Sequence, residues 1–72
     1  MRRRDLIGKG EELHVVVPVD GAAPVRFTYA DGTGYSSRTL TEMLDAGLRM
    51  TILRRNGTRE KVTKKMIREV MG

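Results

Sequence analysis

The chain has 72 residues, with 14 Lys and Arg against 9 Asp and Glu, for a net charge of +5. That length allows one small domain, and zero cysteines with one histidine exclude a disulfide framework, a thiolate zinc site and a His-rich metal site. No apolar run approaches the ~18 residues of a membrane span, and Arg2-Arg3-Arg4 is followed by Asp5, Gly8, Glu11 and Glu12 where a signal sequence needs an apolar stretch, so the expectation is a soluble, cytoplasmic protein with no membrane partner.

Residues 1–10 read as a basic N-terminal arm, with Leu6 and Ile7 as its anchor, ahead of a single domain at residues 11–72. Glu12 to Val17 has the β-branched composition of a strand. Both of its faces are apolar, with Leu13, Val15 and Val17 on one and Val16 on the other. Such a strand is either central or an edge awaiting a partner, and the second case offers a homodimer through Val15–Val17. Pro18 to Pro24 is a connection with an Asp20-Gly21 turn. Val25 to Ala30 alternates, predicting Val25, Phe27 and Tyr29 inward and Arg26 and Thr28 outward, until Asp31-Gly32-Thr33-Gly34 stops the strand.

Serines 36 and 37 precede a short helix, and Thr39 and Glu42 stand at capping-box spacing at its start. Leu40, Met43 and Leu44 form its apolar face, and Gly47 is suited to end it. Leu48 to Arg54 reads as a third strand, and Asn56-Gly57 as a hairpin turn. A two-residue turn would oppose Arg54 to Arg59. A three-residue loop with Gly57 in a bulge instead pairs Met50 with Val62 and Ile52 with Glu60, and is preferred. Thr63 then caps a last helix from Lys64 to Met71, with Met66, Ile67, Val70 and Met71 as its apolar stripe. The expected fold class is α+β, a small single domain in β-β-α-β-β-α order, with two short helices packed on a mostly antiparallel sheet.

No catalytic constellation emerges. His14 sits within a strand, the Ser36-Ser37 pair lacks the surroundings of a nucleophile elbow, and Gly8-Lys9-Gly10 and Gly32-Thr33-Gly34 lack the spacing of phosphate-binding loops. The expectation is a protein that is not an enzyme and needs no metal or cofactor.

Charge is the informative feature. Residues 1–9 hold four cations against one acid (+3), residues 10–46 two against six (−4), and residues 47–72 eight against two (+6). Lys64 and Lys65 stand in the first helical turn, where cations oppose the macrodipole. With Thr63 and the free N–H groups there, they suggest a site for an anion such as phosphate. The candidate contacts are Arg54, Arg55, Arg59, Lys61, Thr63, Lys64, Lys65 and Arg68, with Arg2, Arg3 and Arg4 as auxiliaries.

Tyr35, Leu40, Glu42-Met43, Gly47, Gly57 and Val62-Thr63, followed by Met66-Ile67, fall in an order that resembles the N-terminal DNA-binding domain of polyhydroxyalkanoate accumulation regulators. The likeness covers residues 35–67. Where that family has a basic-aromatic run before its Tyr, this chain has Tyr29-Ala30-Asp31-Gly32-Thr33-Gly34, and its hairpin turn is basic rather than acidic. The resemblance implies DNA binding. Phe27, Tyr29 and Tyr35 are the only aromatic residues, and with Phe27 and Tyr29 assigned to the core, few remain to stack on bases. The leading expectation is therefore a non-enzymatic nucleic-acid-binding regulatory module, for DNA in preference to RNA, using the basic hairpin and last helix on the phosphate backbone. The alternative is a small protein-interaction module or inhibitor, of the kind phages and mobile elements encode, docking its basic face on an acidic partner surface.

Overall fold

The computed structural model describes residues 6–30 and 35–71. Arg2, Arg3, Arg4, Asp5 and the Asp31–Gly34 turn lie outside the described residues. The elements are β1 (Glu12–Val17), β2 (Val25–Tyr29), α1 (Ser37–Asp45), β3 (Arg49–Leu53), β4 (Arg59–Lys61) and α2 (Lys64–Met71). The chain is an α+β domain in the expected order.

The valine-rich β1 is central. The strands form one antiparallel sheet in the order β2-β1-β3-β4. Val15 is opposite Phe27 on one side and Met50 on the other; Val16 is likewise flanked by Arg26 and Arg49. Both edges of β1 are thus filled from within the chain, which corrects the homodimer expected through Val15–Val17. Apolar residues on both faces of that strand reflect a central position.

Leu13, Val15, Met50 and Ile52 are buried with Val62 beneath the two helices, whose contributions are Leu40, Ile67 and Met71. Leu6 and Ile7 are 7 % and 4 % exposed and join the same core, so the expected anchor is part of the domain. β2 contributes no fully buried side chain. Its Val25, Phe27 and Tyr29 do face the helix side, opposite Val17, Val15 and Leu13. The expected burial is corrected all the same: Val25 and Phe27 are 45 % and 46 % exposed. The core gathers over β1 and β3, and β2 lies beyond it. Tyr29 is half-buried and packs edge-on against Tyr35, with ring centres 5.4 Å apart.

Helix α1 begins at Ser36, whose extended backbone (φ −77°, ψ 162°) lets its Oγ accept from the Thr39 N–H at 3.1 Å. This corrects the capping box expected at Thr39 and Glu42. Thr39 already has a place inside the first turn, and Glu42 pairs with Arg38 at 3.3 Å. At the other end the Gly47 and Leu48 N–H groups donate back to Leu44 and Met43, with Gly47 at φ 93°, the left-handed closure that glycine permits.

The second hairpin adopts the three-residue loop. Ile52 is opposite Glu60, the Val62 N–H donates to the Met50 carbonyl at 3.0 Å, and Gly57 has φ 91°. Thr63 caps α2, its Oγ1 accepting from the Met66 N–H at 3.1 Å. Among the described residues no helix is long and apolar enough to cross a membrane.

Candidate nucleic-acid interface

Side chains alternate across a strand, so the register sorts the cations by face. The residues that share a face with Leu13 and Ile52 lie under the helices. The opposite face holds Glu12, His14 and Val16 of β1, Arg26 and Thr28 of β2, Arg49, Thr51 and Leu53 of β3, and Arg59 and Lys61 of β4. Three rows run across it. Thr28, His14, Thr51 and Lys61 form one; Arg26, Val16 and Arg49 the next; Glu12, Leu53 and Arg59 the last.

This outer face carries four cations, Arg26, Arg49, Arg59 and Lys61, and one acid. The acid, Glu12, is engaged by His14, whose Nε2 lies 3.0 Å from the Glu12 carboxylate. None of the four cations makes an ion pair among the described residues. All four are exposed. At one end of the face an open cavity of about 300 Å³ is bounded by Val16, Pro18, Pro24 and Gly47, with Arg49 as its one polar side chain.

The predicted contacts separate into groups. Arg54 is turned inward: its Nη1 donates to Glu11 at 3.1 Å and its Nε to Glu60. Burial works against the Arg54 charge, but those two carboxylates more than offset it and raise its pKa. Arg55 Nη2 donates to the Lys9 carbonyl at 2.6 Å. Thr63 Oγ1 is used by the helix cap. Lys64 pairs with Asp45 of α1. The chain's own carboxylate thus answers Lys64 at the start of α2, where the anion site is expected. Arg59 and Lys61 stand on the outer face with no ion pair among the described residues, while Lys65 and Arg68 stand exposed on α2, in the other layer.

Arg26 and Arg49 were not among the predicted contacts. They sit in the acidic middle of the sequence and at the start of β3, far from Arg59 in the chain. Strand parity sets each opposite in direction to the residues beside it in its own strand, but only the strand order puts all four on one sheet face.

His14 is a half-buried sheet-face residue held by Glu12. Among the described residues no three His, Asp or Glu side chains are grouped to hold a metal ion. The fold and face define a two-layer α+β domain with an open, cationic antiparallel sheet. Comparison with family models, curated proteins and solved structures returned no match.

Proposed function

We propose that the chain is a non-enzymatic nucleic-acid-binding regulatory module that grips the phosphate backbone, of DNA in preference to RNA. The observation that carries this reading is the outer sheet face, where Arg26, Arg49, Arg59 and Lys61 are exposed with no ion pair among the described residues. Cations left unpaired on a surface hold a standing attraction for polyanions, and each phosphate they neutralise releases counterions. The hairpin supplies three of the four, in keeping with the basic last third of the sequence. Lys65 and Arg68 extend the field from α2, with Arg2, Arg3 and Arg4 as auxiliaries. The likeness of residues 35–67 to a DNA-binding domain points the same way.

Among the described residues no Phe or Tyr side chain lies on the outer face, which favours contacts to a duplex backbone over stacking on single-stranded bases. The unpaired cations of that face equally support the second reading, an interaction module whose basic face docks on an acidic protein. Titration of labelled duplex DNA, single-stranded DNA and duplex RNA tests the first. Duplex DNA binding that weakens steeply with salt is expected; no binding at low salt ends this reading. A protein partner whose capture survives nuclease treatment favours the second.

A further inference from the structure

The two edges of the sheet are unlike. β4 is three residues long, and all three, Arg59, Glu60 and Lys61, are charged. A short charged strand is how proteins guard an edge against pairing. β2 is five residues long, Val25-Arg26-Phe27-Thr28-Tyr29, with one charge among β-branched and aromatic residues. Its helix-side strip is also uncovered. Val25 and Phe27 are nearly half exposed, although they continue the row of Val17 and Val15. An unguarded edge and an exposed apolar strip therefore coincide on one strand.

We propose that β2 pairs with β2 of a second copy, antiparallel about a two-fold axis at Phe27, joining the two sheets into one of eight strands. The sequence of β2 argues for a second copy. Opposed residues in an antiparallel pair share a face, so a two-fold axis between identical strands must pass through a residue. An axis at Phe27 pairs every residue of β2: Val25 with Tyr29, Arg26 with Thr28, and Phe27 with itself. An axis at Arg26 sets two guanidinium groups directly opposite, which is unfavourable. An axis at Thr28 leaves Val25 beyond the end of the strand. One register is thus fully self-complementary, and it covers the exposed valine and phenylalanine with aromatic and β-branched partners.

The larger charge pattern agrees. β2 carries one cation and no acid, so pairing there brings little like charge together. It leaves both β4 edges, with Arg59 and Lys61, at the far ends of the joined sheet.

Sedimentation equilibrium of the full chain over a range of concentrations, without nucleic acid, tests the pairing. The expected mass rises from one chain to two. Thr28 is exposed on the outer face, so its substitution spares the core, as circular dichroism can verify. Thr28→Glu sets a carboxylate opposite Arg26 of the second copy, twice per dimer, and Thr28→Lys sets an ammonium there. The first is expected to tighten and the second to weaken the dimer by roughly 2- to 30-fold, from two cross-strand pairs. A single-chain mass at every concentration overturns the proposal. So does a dimer whose dissociation constant neither substitution moves.

Discussion

Arg54 Nη1 donates to the Glu11 carboxylate at 3.1 Å, joining residues 43 positions apart. The same guanidinium bonds Glu60 across the hairpin, and Glu11 also accepts from the Gly8 N–H at 2.8 Å. Arg54 thus ties the entry to β1, the end of β3 and strand β4 together on the helix side of the sheet. A carboxylate of the acidic segment and a cation of the basic one neutralise one another in a half-buried pair, which removes Arg54 from the set available to a partner.

Arg54→Met should lower folding stability by about 1–3 kcal/mol, because it leaves two carboxylates without their cation. Arg59→Gln with Lys61→Gln should change stability by no more than about 0.5 kcal/mol per site, since both side chains are exposed. Urea denaturation of the two proteins checks the contrast; equal losses would count against the division between structural and free cations.

Acid should weaken the fold through Glu11. The Gly8 N–H bond is the largest influence and holds its carboxyl below the ordinary value of 4.5; burial opposes it, and Arg54 adds to the lowering. The unfolded chain therefore takes up this proton at higher pH than the folded one. The resulting stability is complete above the ordinary value and is lost as pH falls through the lower, folded value. In denaturation series on either side of that window, Glu11→Gln should show less acid sensitivity than the native chain, because the variant has no proton to gain there.

The α1 cap can be located by substitution. Ser36→Ala should cost about 0.5–2 kcal/mol, since it removes the acceptor of the Thr39 N–H. Thr39→Ala should cost less, because its hydroxyl shares only a solvent-exposed bond with Ser36 Oγ at 3.0 Å. Thermal melts that rank the two in the reverse order would place the cap at Thr39.

The Lys64–Asp45 pair offsets a cation in the first turn of α2. Asp45→Asn should lower stability by about 0.3–1 kcal/mol, through the exposed macrodipole and the lost pair. The loss should shrink in high salt, which a denaturation series at two ionic strengths reads directly.

Much of this arrangement is readable along the chain because its causes are local. The unfavourable meeting of Arg54 with Arg59 selects the three-residue loop at Asn56-Gly57. Thr63 precedes a clean apolar stripe, and Gly47 stands where α1 must close. The remainder depends on distant elements. Alternation in β2 tells which way Phe27 points, but whether a helix covers it depends on where the core gathers. Apolar residues on both sides of β1 suit a centre or an edge, and β3 decides between them. Ser36 and Thr39 are both able caps; the backbone at Ser36 is the one that stays extended.

The candidate site divides in the same way. The basic hairpin is evident from composition, yet its arginines differ in role because Glu11 and Lys9 come from the far end of the chain. Arg26 and Arg49 join Arg59 and Lys61 only once the order β2-β1-β3-β4 is known.

The most direct test of the nucleic-acid reading is the salt dependence of duplex DNA affinity, measured for the native chain and for Arg59→Gln with Lys61→Gln. The account predicts that the logarithm of affinity falls linearly with that of salt concentration, and that the double variant binds more weakly with a slope shallower by about 0.9 for each phosphate contact removed. Equal affinity and equal slope in the two proteins would contradict it.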